Sequence, residues 1–388
     1  MRPAERGKLR VATIVGTRPE AIKMAPVIKA LQATPCCECI VIGTAQHRKL
    51  LDQVFKSFEL SMDVDLNVMQ EGQSLSSLTS RLLERLDRAF AEHIPDLILA
   101  QGDTTTVMVA SMVAFYRRVP FGHVEAGLRT GDLHNPFPEE LNRIVAGTVA
   151  TMHFAPTETA RKALLSEGKA DEAVFVTGNT VVDALLDVAS RPLRLPLAIP
   201  SDRRLILMTA HRRENFGRPM ANIFGAVRRI VERYPDVEVI YPVHPNPNVK
   251  GAAHAALSAL PRVHLVEPLD YQSLVAVLKR STLVLTDSGG IQEEAPALAK
   301  PVLVMRVETE RPEAVQAGVA KLIGTQEETI ATEVGRLLDD PVAYRTMARS
   351  VSPYGDGKAA ARIVRIIAER FRLRVHTNGA KPQAVPAG

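Results

Sequence analysis

Residues 10–31 read RVATIVGTRPEAIKMAPVIKAL, and three kinds of structure follow one another within them. Residues 10–15 are β-rich and apolar, the composition of a short buried strand. In Gly16-Thr17-Arg18-Pro19-Glu20 the Thr and Glu have capping-box spacing, and Pro19 suits a first helical turn. Residues 21–31 are a helical stretch. A strand running through a glycine into a capped helix predicts one step of a parallel, helix-covered sheet.

The step recurs along the chain. Further strands are expected at 39–43, 96–100, 120–124, 152–155 and 173–176, with helices at 75–91 and 105–116 among them. Residues 191–200 hold three prolines and read as an extended linker. The alternation then restarts, with strands expected at 205–209, 237–241, 263–266, 283–286 and 301–304. The predicted fold is α/β: two doubly wound, Rossmann-like parallel-sheet domains facing across a cleft, with ligand sites at the carboxyl ends of the strands. Expected boundaries are 8–186 and 187–356. A last helix over 358–371, within a C-terminal segment 357–373, is expected to pack back on the first domain. The polar, Gly- and Pro-containing residues 374–388 are expected to be a disordered tail.

A length of 388 residues supports two domains, and 46% hydrophobic with 23% charged residues is ordinary for a globular protein. No apolar run reaches bilayer length, and the N-terminal MRPAERGKLR lacks the apolar stretch of a signal peptide, so a cytoplasmic location is expected and no membrane partner. The net charge of +5 suits anionic ligands. With no Trp and no basic run alternating with aromatics, nucleic acid is not an expected partner. Cys36, Cys37 and Cys39 have no second pair elsewhere, so they read as reduced structural thiols rather than zinc ligands.

The strand ends carry the chemistry. Arg18 and Lys23 flank a helix start, which favours anions. Gln101-Gly102-Asp103 closes one strand, with Asp103 read as the N-cap of the next helix, and Glu125 closes another. Glu139 follows in Pro136-Phe137-Pro138-Glu139. Acids gathered on one pocket repel one another and acquire raised pKa values, which is equipment for proton transfer. Histidine is absent from their spacing, so no metal is expected. In the second half, His211 lies at a strand end beside Arg212 and Arg213, and His244 lies just past another. Asp287-Ser288-Gly289-Gly290 opens a helix: the glycines let backbone approach a diphosphate, Ser288 can donate, and Glu294 one turn on can accept from ribose hydroxyls. Arg311 adds a cation near the same edge. There is no Gly-x-Gly-x-x-Gly after the first strand, so no nicotinamide cofactor is expected, nor any other.

GTRPEAIKMAP, AQHRKLLDQV, QGDTTT, GHVEAGLRTGD, PFPEELNR, MTAHRRENFG, YPVHPNP, LTDSGGIQEEAP and ERPEAVQAG, in this order over residues 11–366, resemble the non-hydrolysing UDP-N-acetylglucosamine 2-epimerases, which share the GT-B architecture. The resemblance implies epimerisation of UDP-GlcNAc to UDP-ManNAc by elimination of UDP to a 2-acetamidoglucal and re-addition. It implies catalytic Asp103, Glu125, Glu139 and His211. It also implies UDP contacts at Arg18, Lys23, Ser288, Gly289, Gly290, Glu294 and Arg311. At the uracil pocket Leu269 stands where the family can have Gln, and Leu274 where it can have Phe. Some members bind a second UDP-GlcNAc as activator. Gln46, Glu139, Arg212 and His244 match that site, while Lys49 replaces a Gln and Gly72 replaces an Arg. Losing a bidentate Arg predicts a weakened activator dependence. The family also implies a homodimer and a place in polysaccharide biosynthesis. Competing readings are a hydrolysing 2-epimerase that releases ManNAc and UDP, a GT-B glycosyltransferase, and a non-catalytic UDP-sugar sensor.

Overall fold

The computed structural model describes residues 7–44, 48–70, 72–349 and 351–373. Gln46, the side chain of Lys49 and the expected tail 374–388 lie outside the described residues.

The first sheet contains β1 (Leu9–Val15), β2 (Cys37–Gly43), β3 (Val64–Asp65), β4 (Leu97–Gln101), β5 (Phe121–Val124), β6 (Met152–Ala155) and β7 (Val174–Val176). Its order is β3-β2-β1-β4-β5-β6-β7, and the pairs are parallel. The second contains β8 (Arg204–Thr209), β9 (Val237–Pro242), β10 (Val263–Val266), β11 (Leu283–Thr286), β12 (Val302–Val304) and β13 (Ala320–Leu322). Its order is β10-β9-β8-β11-β12-β13, again parallel. In each sheet the chain reverses its direction of winding beside the first strand, between β1 and β4 and between β8 and β11. Such a reversal opens a crevice at the strand ends.

The expected strands all form, with ends shifted by at most two residues. β3 and β13 were not anticipated; at two and three residues they are too short to show a pattern. The central strands are mostly apolar because helices cover both faces: all five residues of β4 are buried, and four of them are apolar. The helix Arg18–Gln32 starts earlier than its apolar run, because Thr17 caps it in a complete capping box with Glu20. One local expectation is corrected. Thr104, not Asp103, caps the helix Thr105–Tyr116, its hydroxyl accepting from the N–H of Val107 at 3.4 Å.

The last helix, Ala359–Arg370, packs on the helices Arg18–Gln32 and Thr180–Ala189 of the first half. Asp183 fixes its start by accepting from the N–H groups of Ala359 and Ala360 at 3.2 and 2.8 Å. The segment entering it is held by Tyr354, which is 2% exposed. The Tyr354 carbonyl accepts from Asn179 N–H at 2.6 Å, while its hydroxyl accepts from Ala314 N–H at 3.2 Å and donates to the Arg311 carbonyl at 3.3 Å. Gly178 and Gly355 pass so closely that a Cβ on Gly178 would lie 3.3 Å from the Gly355 Cα. One apolar cluster runs through both halves, from Leu9 and Val182 to Val284 and Val302. Among the described residues no helix is long and apolar enough to cross a membrane.

Candidate active site

The first sheet contributes its strand ends through a small set of locks. Glu20 is buried, and its Oε2 accepts from the N–H groups of Gly16 and Thr17 at 2.6 and 2.8 Å. Its Oε1 accepts from the Thr104 hydroxyl at 2.5 Å, which ties the loop after β1 to the loop after β4. Burial pushes the Glu20 carboxyl up to about 7. Gly16 has no room for a side chain, since a Cβ would lie 2.7 Å from the hydroxyls of Thr44 and Thr106.

Gly102 adopts φ of 88°, and its carbonyl faces His123 Nε2 at 2.7 Å. A carbonyl only accepts, so that nitrogen carries the ring proton. Burial draws the His123 pKa down to about 4, keeping the ring neutral. The next residue, Asp103, is held by Arg143, whose Nε and Nη2 lie 2.9 and 2.8 Å from Oδ2. Arg143 also binds Glu140 at 3.0 Å, and Glu140 accepts from the N–H groups of Thr130 and Gly131. At the start of the helix Glu139–Val149, Glu140 is therefore the buried structural acid, and Glu139 is the half-buried one.

Glu125 directly follows β5, with φ of 62°, and is 7% exposed. Its two carboxylate oxygens lie 2.8 and 2.7 Å from Lys23 Nζ, and Oε2 accepts from Gln101 Nε2 at 2.5 Å. The same ammonium lies 3.3 Å from Glu293 of the second half, and Glu293 also pairs with Arg311. Asn179 donates to Glu293 at 3.3 Å. Thus Glu125, Lys23, Glu293 and Arg311 form one buried chain of alternating charge between the sheets. Burial raises the Glu125 pKa even though Lys23 opposes it. Burial also works against the Lys23 ammonium, but Glu125 and Glu293 outweigh it and hold Lys23 above the usual lysine range.

Across the cleft, Asp287 follows β11 and has no solvent-exposed side-chain surface. Its Oδ2 accepts from the N–H groups of His211 and Arg212 at 2.8 and 2.9 Å and from Asn215 at 3.0 Å. Its Oδ1 lies 3.2 Å from His211 Nδ1. Burial pushes Asp287 up, but His211 and the backbone N–H donors outweigh it and keep the carboxyl below its ordinary value. The His211 ring stacks on His244, with centroids 5.5 Å apart and planes 12° from parallel. Arg212 reaches over Gly289, its Nη2 3.6 Å from where a Cβ would stand, and Gly290 has open space there. Ser288 precedes the helix Gly289–Glu294 and its backbone N–H donates to the Thr286 hydroxyl at 2.9 Å.

The remaining expected nucleotide residues gather around Tyr271. Its hydroxyl donates to Glu294 at 2.9 Å, and burial pushes Glu294 up to about 7. Arg18 donates to the Leu269 carbonyl at 2.8 Å, joining the two halves again. Leu274 is half-buried against the shared core. Of the expected activator residues, Arg212 and His244 lie beside His211. Gly72 has φ of 68°, a conformation with its own need for glycine. Among the described residues no group of three or more His, Cys, Asp or Glu is arranged to hold a metal ion.

Sequence reading passed over Gln101, Arg143, Tyr271, Asp287 and Glu293 as functional residues. Asp287 and Glu293 had a signal, since Asp287 opens the Asp-Ser-Gly-Gly segment after a strand and Glu293 lies in the helix that this segment begins. Arg143 and Tyr271 had none, because their partners are set by the fold.

Residues 29–368 match the family model described as UDP-N-acetylglucosamine 2-epimerase. The chain is 52% identical over 366 residues to the UDP-N-acetylglucosamine 2-epimerase of Escherichia coli O157:H7, covering 92% of this chain and 97% of the relative. It is 52% identical over 361 residues to the enzyme of that name from Bacillus subtilis, covering 92% and 94%. Among solved structures it is similar to the Neisseria meningitidis UDP-GlcNAc 2-epimerase bound to UDP-GlcNAc, with 44% identity, TM-score 0.86 and coverage of 93% and 100%. A sucrose-phosphate synthase from Thermosynechococcus elongatus, 13% identical with TM-score 0.61, shares the fold alone.

Proposed function

The chain belongs to the UDP-N-acetylglucosamine 2-epimerase family, and from that premise we propose that it interconverts UDP-GlcNAc and UDP-ManNAc without hydrolysing them. The observation that carries this reading is the buried chain Glu125–Lys23–Glu293–Arg311, which sets a proton-exchanging acid beside cations suited to a departing diphosphate. The Neisseria meningitidis relative binds UDP-GlcNAc, which supports the substrate class.

The C2 proton of the sugar is not acidic until the C1–O bond to UDP begins to break. As positive charge grows on the ring, a carboxylate takes the C2 proton and a C1=C2 double bond forms, giving a 2-acetamidoglucal and UDP. The reverse addition restores the C1–O bond and delivers a proton to the opposite face of C2. Asp103, Glu125 and Glu139 are assigned to proton transfer and sugar orientation, and His211, aligned by Asp287, to the leaving phosphate. Arg18, Lys23, Ser288, Gly289, Gly290, Glu294 and Arg311 are assigned to UDP, with Leu269 and Leu274 against the uracil. Closure of the cleft keeps the two intermediates together.

The decisive experiment runs the reaction in deuterium oxide. Elimination and re-addition predict deuterium at C2 of the product and no free UDP accumulating in step with it. Unlabelled product, or stoichiometric UDP, would sink the non-hydrolysing reading. Residues 8–186 with 357–373, and 187–356, are the proposed domains. With Lys49 and Gly72 in place of Gln and Arg, a second UDP-GlcNAc is a weak activator. Conversion of UDP-ManNAc should then proceed without added UDP-GlcNAc; complete inactivity in its absence would contradict this. The proposed dimer finds support in the neighbouring helices Thr105–Tyr116 and Glu139–Val149. They leave Phe115 and Tyr116 65% and 66% exposed, and Leu141 45% exposed.

A further inference from the structure

Glu293 belongs to the buried ion-pair chain but is given no step in the scheme above, and it is 1% exposed. It stands on the helix Gly289–Glu294 of the second half and turns its carboxylate toward the first. Oε1 pairs with Arg311, while Oε2 lies 3.3 Å from Lys23 and accepts from Asn179 at 3.3 Å. A buried carboxylate is tolerated only when well paired, and both halves of the molecule supply partners to this one. Lys23 holds Glu293 and, at 2.7 Å, Glu125. Two carboxylates from different halves of the molecule therefore share one ammonium.

We propose that Glu293 is a positioning residue that, by sharing Lys23 with Glu125 across the two halves, sets the protonation state of Glu125 and so the pH range in which Glu125 transfers a proton. The inference rests on the epimerase reading for what Glu125 does, but not for its electrostatics. The charged groups facing Glu125 are Lys23 from the helix Arg18–Gln32, Glu293 from the helix Gly289–Glu294 and Arg311 from the segment before the helix Pro312–Gln316. Gln101 on β4 adds a neutral donor. Burial pushes Glu293 up, but Arg311 and Lys23 outweigh it and hold Glu293 below the ordinary carboxyl value. Glu125 goes the other way, raised by burial with Glu293 adding to the rise. Glu293 thus stays ionised, and Glu125 is the member of the pair that exchanges protons. Neutralising Glu293 removes a like charge and frees Lys23 and Arg311 to act on Glu125, and both changes lower its proton affinity.

The test follows Glu125 directly. In protein labelled with carbon-13 at the glutamate carboxyls, the Glu125 resonance is the one lost in Glu125→Gln, and its titration is read by NMR. Glu293→Gln is expected to lower the Glu125 midpoint by about one pH unit. The limb of the kcat profile that Glu125 controls should move equally and in the same direction. Glu293→Asp, which keeps the charge but withdraws it by one methylene, should lower the midpoint by a fraction of that. If Glu293→Gln does not fold, Glu293→Asp decides alone. An unchanged or raised midpoint in the deciding variant overturns the proposal. A merely structural Glu293 would lower Tm and kcat at every pH and leave midpoint and limb in place. Should the unmodified protein fail to interconvert the sugar nucleotides while the midpoint still falls, the reaction reading fails and the electrostatic role stands.

Discussion

Glu125 occupies the left-handed backbone region, at φ of 62°, where a residue with a Cβ carries a cost on the order of 1 kcal/mol or more. That strain sits where β5 must deliver a side chain to Lys23, so the surrounding contacts hold a conformation the chain alone would avoid. On the facing side His211 depends on Asp287 in the same way. Asp287→Asn keeps an oxygen for the backbone N–H donors but removes the anion beside Nδ1. It is expected to lower kcat about 10- to 100-fold with KM within a few-fold, in steady-state assays of UDP-ManNAc formation. Glu294 makes a pH prediction. Its folded value of about 7 lies above the unfolded carboxyl value of about 4.3. Its stabilising contribution is therefore full below the lower value and lost as pH rises through the upper one. For the proposed contact with ribose hydroxyls, the ionised carboxylate is the better acceptor. UDP affinity by calorimetry should accordingly rise as pH passes through about 7, and Glu294→Gln should flatten that rise.

At the scale of elements, caps decide where helices begin. Asp183→Ala removes the acceptor for the first N–H groups of the helix Ala359–Arg370 and should cost about 1–2 kcal/mol, read as a lower Tm with turnover at low temperature unchanged. The strands were legible because a parallel strand buried on both faces is a nearly continuous apolar run, as in residues 97–100 of β4 and 283–285 of β11. β3 and β13 were not legible, being too short to hold a pattern. Thr17 was legible as a cap because Glu20 completes its box, whereas a stretch Asp103-Thr104-Thr105 offers several capping side chains and only the fold chooses Thr104. The same limit governs the site. Asp103, Glu125 and His211 announce themselves as polar groups closing strands. Their partners Arg143, Lys23 and Asp287 are chosen by packing between segments far apart in sequence, and no local spacing encodes that choice.

For the molecule as a whole, a nucleotide gripped by both halves should stabilise both. UDP at a hundred times its Kd should add about 2.7 kcal/mol to the unfolding free energy, seen as a rise in Tm by calorimetry. The proposed dimer makes a separate prediction: Phe115→Glu with Tyr116→Glu should shift the light-scattering mass from dimer to monomer. An unchanged mass would place the dimer contact elsewhere. The returning helix Ala359–Arg370 has a consequence for biosynthesis. A ribosome emits the first sheet and both helices on which that element docks, and then the entire second sheet, before the docking element itself appears. At roughly 5–20 residues per second the apolar flank of the helices Arg18–Gln32 and Thr180–Ala189 waits on the order of ten seconds for its cover. The first half therefore cannot close its own apolar surface during translation; it is completed only after the whole second sheet has been made.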